Sequence, residues 1–145
     1  MAISKKPVIR ELKAQELKSA YALISQLRPE LSLEQYMDLI KAMEPAGYRA
    51  VGLFEDEEIV AYAGFAEQVN LYYGRHIWVY DLVTKEERRG RGYGEALLSH
   101  IEAYGKQREL RCVALSSGVK REKTHRFYEN KMKYDIVSYV FKKAL

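Results

Sequence analysis

The chain contains little cysteine, little proline and no long hydrophobic run. A single cysteine, Cys112, among 145 residues excludes an internal disulfide and fits a reducing cytosol. Three prolines and nine glycines leave no stretch with the composition of a linker. No apolar run approaches the ~20 residues that a membrane helix needs, and residues 1–6 lack the hydrophobic segment of a signal peptide. We therefore expect a cytoplasmic protein that does not enter a membrane.

Metal-ligand clusters and strong charge are also missing. No group of cysteine, histidine and carboxylate residues has metal-ligand spacing, and Cys112 lies in a strand-like run as a core thiol. The net charge of +4 and pI near 9.0 mildly favour anionic ligands but are too small to indicate nucleic-acid binding. The length predicts one domain spanning residues 1–145.

The first third of the chain predicts an edge strand and two helices. Residues 8–12 form a β-type run behind Pro7. Apolar residues keep helical spacing over residues 14–27, and Arg28-Pro29 ends that helix. Ser32 and Gln35 form a capping-box pattern for a second helix, which Pro45 and Gly47 end.

The remainder predicts a mixed α/β sheet. A hairpin is expected from strands at 48–55 and 59–69, joined by an acidic, solvated turn. Residues 76–84 are nearly all apolar apart from Asp81, which is typical of a central strand covered on both faces. After a glycine turn and a helix, the pattern predicts a strand at 111–117, a helix at 123–130 and a last strand at 136–142, without internal repeats.

The glycine turn is the most informative stretch. Gly90, Gly92 and Gly94 alternate with Arg91 and Tyr93 between a predicted strand and a predicted helix. Glycine lets backbone N–H groups approach a ligand closely, and a helix start presents unpaired donors with a partial positive charge. The stretch therefore predicts an anion site, most often a phosphate site.

The turn differs from three other glycine-rich patterns. A P-loop ends in Gly-Lys-Ser/Thr, whereas this turn ends Gly94-Glu95-Ala96. A Rossmann fingerprint requires glycine at position 95. Arginine–glycine RNA-binding tails are disordered, whereas this stretch lies between an apolar strand and an amphipathic helix. An RNA-binding protein remains the alternative from a different class, and we expect no nucleic-acid partner.

Arg89, Gly92 and Gly94 match the pattern Arg/Gln-x-x-Gly-x-Gly/Ala. In its setting the turn closely resembles the acetyl-CoA-binding motif of the GNAT superfamily of N-acetyltransferases. The two helices before the hairpin, the strand ending at 81–84 and the segment 125–129 extend the resemblance over essentially the whole chain. It implies the α/β GNAT acyl-CoA N-acyltransferase fold, a mixed central sheet flanked by helices.

The resemblance also implies a donor and its binding residues. Acetyl-CoA would be the acyl donor. Its pyrophosphate would be held by backbone N–H groups of the turn, contributed by Arg89, Gly90, Arg91, Gly92, Tyr93 and Gly94. Its pantetheine arm would pair with the backbone of Leu82, Val83 and Thr84. Arg88, Arg91, Lys120 and Lys123 are either outer phosphate contacts or simply solvated charges.

Two residues take catalytic roles by the same resemblance. Asp81 would be the general base for the amine, since burial raises the pKa of a carboxyl group. Its alternative role is to cap the strand end or to pair with an arginine or histidine. Tyr128 would be the general acid for the departing thiolate, with core packing as the alternative. His76 and His125 titrate near neutrality but are expected to be structural or on the surface.

The acceptor is expected to be the primary amine of a small molecule. By the resemblance it would enter near residues 27–36 and 70–76, where Tyr72, Tyr73, Arg75 and His76 suit an aromatic or anionic amine. The C-terminal half is similar to bacterial aminoalkylphosphonate N-acetyltransferases. A protein-lysine or N-terminal acetyltransferase and a non-catalytic acyl-CoA-binding or sensing module remain alternatives. A homodimer is compatible with this interpretation, although the sequence does not fix the oligomeric state.

One feature departs from the family pattern. The family commonly places a glycine after the tyrosine-bearing helix, just before an aromatic residue. Here Met132 and Lys133 precede Tyr134, so the usual left-handed glycine cap is missing.

Overall fold

The computed structural model describes residues 6–145. Most of the residues 1–6, on which the signal-peptide expectation rests, lie outside this range. The chain divides into two compact units, one ending at Ala114 and one covering Leu115–Leu145.

The first unit carries the sheet and most of the helices. Its strands are β1 (Val8–Glu11), β2 (Arg49–Glu55), β3 (Glu58–Asn70) and β4 (Gly74–Thr84), with β5 (Val113–Leu115) at the unit boundary. Its helices are α1 (Ala14–Ser19), α2 (Tyr21–Leu27), α3 (Leu33–Met43) and α4 (Tyr93–Gln107), with 3₁₀ turns at Glu44–Ala46 and Glu86–Arg88.

The five strands form one sheet in the order β1-β2-β3-β4-β5. The first four strands pair antiparallel. Strand β5 lies beside β4, with Arg111 N–H donating to the Arg75 carbonyl at 2.8 Å and Ile77 N–H to the Cys112 carbonyl at 3.0 Å. The predicted edge strand, hairpin and mixed sheet are therefore confirmed.

Helices cover both faces of this sheet. Leu17, Ile24, Tyr36 and Ile40 of α1–α3 pack in one buried cluster with Tyr62 of β3. Because strand side chains alternate between faces, Phe65 points to the other face, where its ring lies 5.6 Å from that of Tyr104 on α4. Strand β4 is thus covered on both sides, as its apolar sequence predicts.

Local signals place the helix boundaries well. The capping box forms as predicted, with the Gln35 N–H donating to Ser32 Oγ at 3.1 Å and the Ser32 N–H to Gln35 Oε1 at 2.9 Å. The single helix predicted over 14–27 is instead two short helices that meet at Ala20. The second of them ends at Leu27, just before Arg28-Pro29.

The second unit contains α5 (Glu122–Arg126), which continues into a π-helical turn at Phe127–Lys131. The strand predicted at 136–142 is wrong, because the described residues 132–145 contain no helix or strand. Its apolar side chains lie exposed, including Tyr139 and Phe141. A strand requires backbone hydrogen bonds to a neighbour, which the composition of one segment cannot supply.

Candidate active site

Asp81 lies on β4 directly after an irregularity in its pairing with β3. Gly64 pairs with Asp81 and Phe65 pairs with Val79, so Tyr80 is an extra residue in the register. Such a β-bulge re-aims side chains and is common beside active sites. The Asp81 side chain is only 17% exposed, so the bulge presents a mostly buried carboxylate.

Two side chains contact the Asp81 carboxylate. Arg28, which caps the end of α2, donates from Nη2 to Asp81 Oδ1 at 3.2 Å and to the Tyr80 carbonyl at 3.4 Å. The Tyr48 hydroxyl donates to Asp81 Oδ2 at 3.4 Å and lies 2.6 Å from the Tyr62 hydroxyl. The carboxylate is therefore held on both of its oxygens.

The environment of Asp81 shifts its proton affinity. Burial raises the pKa of Asp81 above its ordinary value, while Arg28 and Tyr48 act in the opposite direction. A buried carboxyl group with a raised pKa is suited to accept a proton near neutral pH. The alternative interpretation, in which Asp81 only forms an ion pair with an arginine, is also compatible with the structure, because Arg28 pairs with Asp81.

The glycine turn has the backbone geometry of an anion site. Gly90 and Gly92 take φ angles of 83° and 81°, in the left-handed region that favours glycine. Gly92 is the N-cap of α4, so no N-cap side chain occupies the N–H donors of the first turn. A Cβ at either glycine would meet no atom within 4 Å, which leaves open space in front of the turn. These residues therefore fit a pyrophosphate group.

Not every donor in the predicted phosphate cradle is free. The Arg89 N–H donates to the Glu86 carbonyl at 3.4 Å. The predicted pantetheine-pairing backbone also has a partner, since the Thr84 carbonyl accepts from Gln26 Nε2 at 3.2 Å. A carbonyl has two lone pairs, so Thr84 keeps capacity for a further bond.

The arginines beside the turn are paired with the β2–β3 hairpin. Arg88 Nε lies 3.3 Å and Arg91 Nη1 lies 3.5 Å from the carboxylate of Glu55. Glu58 pairs with Lys85 at 2.7 Å. The acidic hairpin turn is therefore ion-paired at both of its ends, rather than simply solvated as the sequence suggests.

Tyr128 lies in the second unit, within its π-helical turn. The Met132 N–H donates to the Phe127 carbonyl at 3.0 Å, the wider spacing that defines this turn, and such turns are frequent at functional sites. Burial raises the pKa of Tyr128, so its phenol stays protonated. Lys133 takes the left-handed conformation, with φ at 63°. A lysine thus adopts the backbone conformation for which the family commonly uses glycine.

The other predicted site residues differ in exposure. His76 is buried, and its Nδ1 bonds the Gly74 carbonyl at 2.8 Å. His125 bonds the Gly118 carbonyl at 2.8 Å through Nε2. Both histidines therefore have structural contacts, as expected. Tyr72 is exposed with its ring against that of Tyr73, and the remaining expected contacts, Arg75, Lys120 and Lys123, are exposed as well.

Sequence reasoning missed the residues that contact Asp81. Arg28 lies within the region expected to receive the acceptor, but its pairing with Asp81 spans 53 positions. Gly64 was the available signal, because a glycine inside an apolar strand often marks a bulge or a close approach. A Cβ there would overlap the Tyr48 hydroxyl.

Residues 6–145 contain neither a candidate membrane-spanning helix nor a candidate metal site. No helix in this part of the chain combines the length and apolarity needed to span a membrane. No three of its histidine, cysteine, aspartate or glutamate side chains come together as a metal site.

Comparisons with known proteins identify relatives across most of the chain. Residues 15–134 match the acetyltransferase (GNAT) family. An uncharacterised N-acetyltransferase, YhdJ, from Bacillus subtilis (strain 168) is 37% identical over 132 residues, covering 90% of this chain and 93% of that protein. An aminoalkylphosphonate N-acetyltransferase from Salmonella typhimurium (strain LT2) is 28% identical over 124 residues, covering 83% and 80%.

The fold agrees with solved structures. The aminoglycoside N-acetyltransferase AAC(6')-Iy in complex with CoA superposes with a TM-score of 0.84 at 14% identity, covering 99% of this chain and 97% of that one. Three observations support the same family: the mixed sheet, the glycine turn at the start of α4 and the family match over residues 15–134. The chain therefore belongs to the GNAT acetyltransferase family and is an N-acetyltransferase.

Proposed function

We propose that this protein transfers the acetyl group of acetyl-CoA directly to the primary amine of a small molecule. One structural relationship supports this most strongly. The strand that carries the buried Asp81 leads, within a few residues, into the glycine turn and the N-terminus of α4. The same chain segment thus supplies a proton acceptor and a site for the anionic end of the donor.

The donor site consists mainly of backbone groups. N–H groups of residues 89–94 would hold the pyrophosphate, with the Arg89 N–H shared with Glu86. The backbone of Leu82, Val83 and Thr84 would bind the pantetheine arm as an added strand. Bound there, acetyl-CoA supplies the acetyl group as a thioester. That a relative of the same fold was solved with CoA supports this assignment.

Asp81 and Tyr128 would carry the proton transfers. A primary amine is mostly protonated at neutral pH, as lysine is, and must lose a proton before its nitrogen can attack the thioester carbonyl carbon. Asp81 takes that proton directly or through a water molecule. When the carbon–sulfur bond breaks, Tyr128 gives its phenolic proton to the thiolate, and the resulting phenolate takes the second proton that the new amide nitrogen loses. We infer the role of Tyr128 from the family resemblance and from its raised pKa.

The acceptor class is proposed more narrowly as a small amine that also carries an anionic group. Arg28 is about half exposed at 47% and lies beside Asp81, so its guanidinium can contact an anion near the reacting amine. The name of the Salmonella relative, an aminoalkylphosphonate N-acetyltransferase, points to the same class. A phosphonate or carboxylate next to the amine would satisfy this chemistry.

The experiment is a screen of primary amines with acetyl-CoA, followed by thiol release and by mass detection of the acetylated product. The panel should contain aminoalkylphosphonates, amino acids, uncharged amines, polyamines and lysine peptides. Turnover of anionic small amines that Asp81→Asn abolishes supports the proposal. Preferred turnover of lysine peptides would show that the acceptor is a protein lysine rather than a small molecule. Donor binding without turnover of any amine would indicate a non-catalytic module.

A further inference from the structure

Two buried phenols lie in series behind Asp81. The Tyr48 hydroxyl is 3.4 Å from Asp81 Oδ2, and the Tyr62 hydroxyl is 2.6 Å from that of Tyr48. Tyr48 is 8% exposed and Tyr62 is completely buried. The two hydroxyls therefore have little access to solvent and must be satisfied by each other, by Asp81 or by the Tyr36 hydroxyl that faces Tyr62.

The carboxylate sets the direction of this series. An ionised carboxylate can only accept hydrogen bonds, whereas a phenol has a single proton to donate. If Tyr48 donates its proton to Asp81, the short bond between the phenols must be donated by Tyr62. Both protons then point toward the negative charge.

We propose that Tyr62 and Tyr48 form a directed hydrogen-bond relay that positions Asp81 and holds it in its ionised, proton-accepting form. The catalytic part of this inference rests on the proposed role of Asp81 as the general base. Tyr48 and Tyr62 are positioning residues, since they act on the amine only through Asp81.

The backbone is shaped to admit the relay. Gly64 pairs with Asp81 in the sheet register, and a Cβ at Gly64 would overlap the Tyr48 hydroxyl. The absence of a side chain at this position therefore makes room for the phenol beside the carboxylate. The bulge at Tyr80 comes immediately before Asp81. The glycine and the bulge thus both lie where Tyr48 meets Asp81.

Few charged or titratable groups face Asp81 from the surrounding elements. Arg28 approaches from the end of α2 at 3.2 Å. Tyr48 precedes β2, Tyr62 lies on β3, and Tyr36 of α3 faces Tyr62. On β4 itself, the Tyr80 ring packs 5.6 Å from that of Tyr48. Arg28 is thus the one cation among these groups, and the phenols supply the remaining donors.

The relay opposes the effect of burial. Burial disfavours the charged form of a carboxyl group, and a hydrogen bond donated to that form favours it. A bond donated by Tyr62 polarises Tyr48 and strengthens its donation to Asp81. When the ammonium N–H bond breaks and its proton passes to Asp81, this charge-assisted bond becomes an ordinary one. The relay therefore acts on the resting enzyme, before the proton is taken.

The test removes each hydroxyl while keeping its ring. Tyr48→Phe and Tyr62→Phe should be compared with the wild-type protein and with Tyr104→Phe. Tyr104 is a matched control, because its hydroxyl bonds Glu67 at 3.2 Å and its ring packs against Phe65 on the other face of the sheet. Two measurements are needed: the pKa of Asp81 from carboxyl-carbon NMR of the donor-free protein, and the acidic limb of the kcat/KM pH profile.

The relay predicts pKa shifts of Asp81 that decrease in size from Tyr48→Phe to Tyr62→Phe to Tyr104→Phe. Tyr48→Phe raises the pKa of Asp81 by up to about one pH unit, because a bond of 3.4 Å is weaker than the shorter bonds usually donated to a charged group. Tyr62→Phe raises it by less, since Tyr48 can still donate, and Tyr104→Phe leaves it unchanged. If Asp81 is the base, the acidic limb of kcat/KM moves to higher pH by the same amounts.

Each other outcome is informative. An unchanged Asp81 pKa in folded Tyr48→Phe, or in folded Tyr62→Phe should Tyr48→Phe fail to fold, would overturn the relay. A raised pKa in the NMR titration with an unmoved acidic limb would leave the relay standing and remove Asp81 as the general base. Failure of the relay and failure of the proposed function are thereby distinguished.

Discussion

The carboxylate of Glu55 lies 3.5 Å from the guanidinium of Arg91 and thereby joins the β2–β3 hairpin to the glycine turn. Arg88 shares the same carboxylate at 3.3 Å. Two arginines beside the proposed pyrophosphate site are thus held by a protein anion. A phosphate group that binds at the turn would compete with Glu55 for them.

Glu55→Gln should therefore tighten the binding of acetyl-CoA. A partly exposed ion pair contributes up to about 1 kcal/mol, so an increase of up to about fivefold in affinity is expected. Calorimetric titration at two salt concentrations measures it. Glu57→Gln, in the same hairpin turn, is the matched control and should leave affinity unchanged. Weaker binding by Glu55→Gln would show that the arginines do not contact the donor.

Gly92→Ala should weaken both the fold and the donor site. Alanine at a φ of 81° costs about 1–2 kcal/mol in the left-handed region, although the position has open space. We expect a lower unfolding temperature and a smaller stabilisation by acetyl-CoA. Gly118→Ala is the control, since Gly118 does not have a left-handed φ. Equal effects of the two substitutions would contradict the proposed role of the turn geometry.

Asp81→Asn should lower kcat by about 10²–10⁴, as expected when a general base is lost. The substitution keeps the size of the side chain and removes a buried charge. Acetyl-CoA affinity should stay within the wild-type range, because the proposed mechanism places Asp81 beside the acceptor rather than the donor. Full activity in Asp81→Asn would assign the carboxylate to its alternative, purely structural pairing with Arg28.

The pH dependence of stability should also identify Asp81. Its pKa is raised in the folded protein, so its contribution to the free energy of unfolding is present below the unfolded pKa of about 3.9. That contribution is lost as the pH rises through the folded-state pKa. In thermal unfolding from pH 4 to pH 7, the unfolding temperature of Asp81→Asn should therefore rise relative to that of the wild type. If the unfolding temperature of Asp81→Asn instead falls relative to that of the wild type over this range, the pKa of Asp81 is lowered in the folded protein.

Tyr128→Phe should reduce kcat by about 10²-fold or more, because the departing thiolate loses its proton donor. The ring remains to pack against Phe127, whose ring centroid is 5.3 Å away, so the fold should be retained. Steady-state kinetics measure the loss of turnover, and donor titration shows whether acetyl-CoA binding is retained. Tyr139→Phe, at an 80% exposed position, is the control. Unchanged turnover in Tyr128→Phe would leave Tyr128 a packing residue.

Sequence patterns predicted the local parts of this structure well. The capping box of Ser32 and Gln35 and the left-handed glycines at 90 and 92 depend on neighbouring residues alone. The contact of Tyr48 with Asp81 spans 33 positions and depends on the pairing of β2, β3 and β4. No local pattern specifies it, although Gly64 marks the place where the backbone allows it.

In the C-terminal segment, the sequence predicted an element that the structure does not contain. Residues 136–142 are rich in β-branched and aromatic side chains, which favours a strand. The structure leaves Ile136 and Val140 exposed and assigns no strand to them. Propensity describes how well a segment fits a sheet, whereas the strand itself needs a hydrogen-bonded neighbour.

The most direct test of the account is thermal unfolding of the protein with excess acetyl-CoA, compared with CoA and with ATP. A ligand that binds only the folded state stabilises it by about 2.7 kcal/mol at a hundredfold excess over its Kd. A clear rise in unfolding temperature is expected with acetyl-CoA and with CoA, and none with ATP. No rise at millimolar acetyl-CoA would contradict it, because the glycine turn would then not be a working donor site.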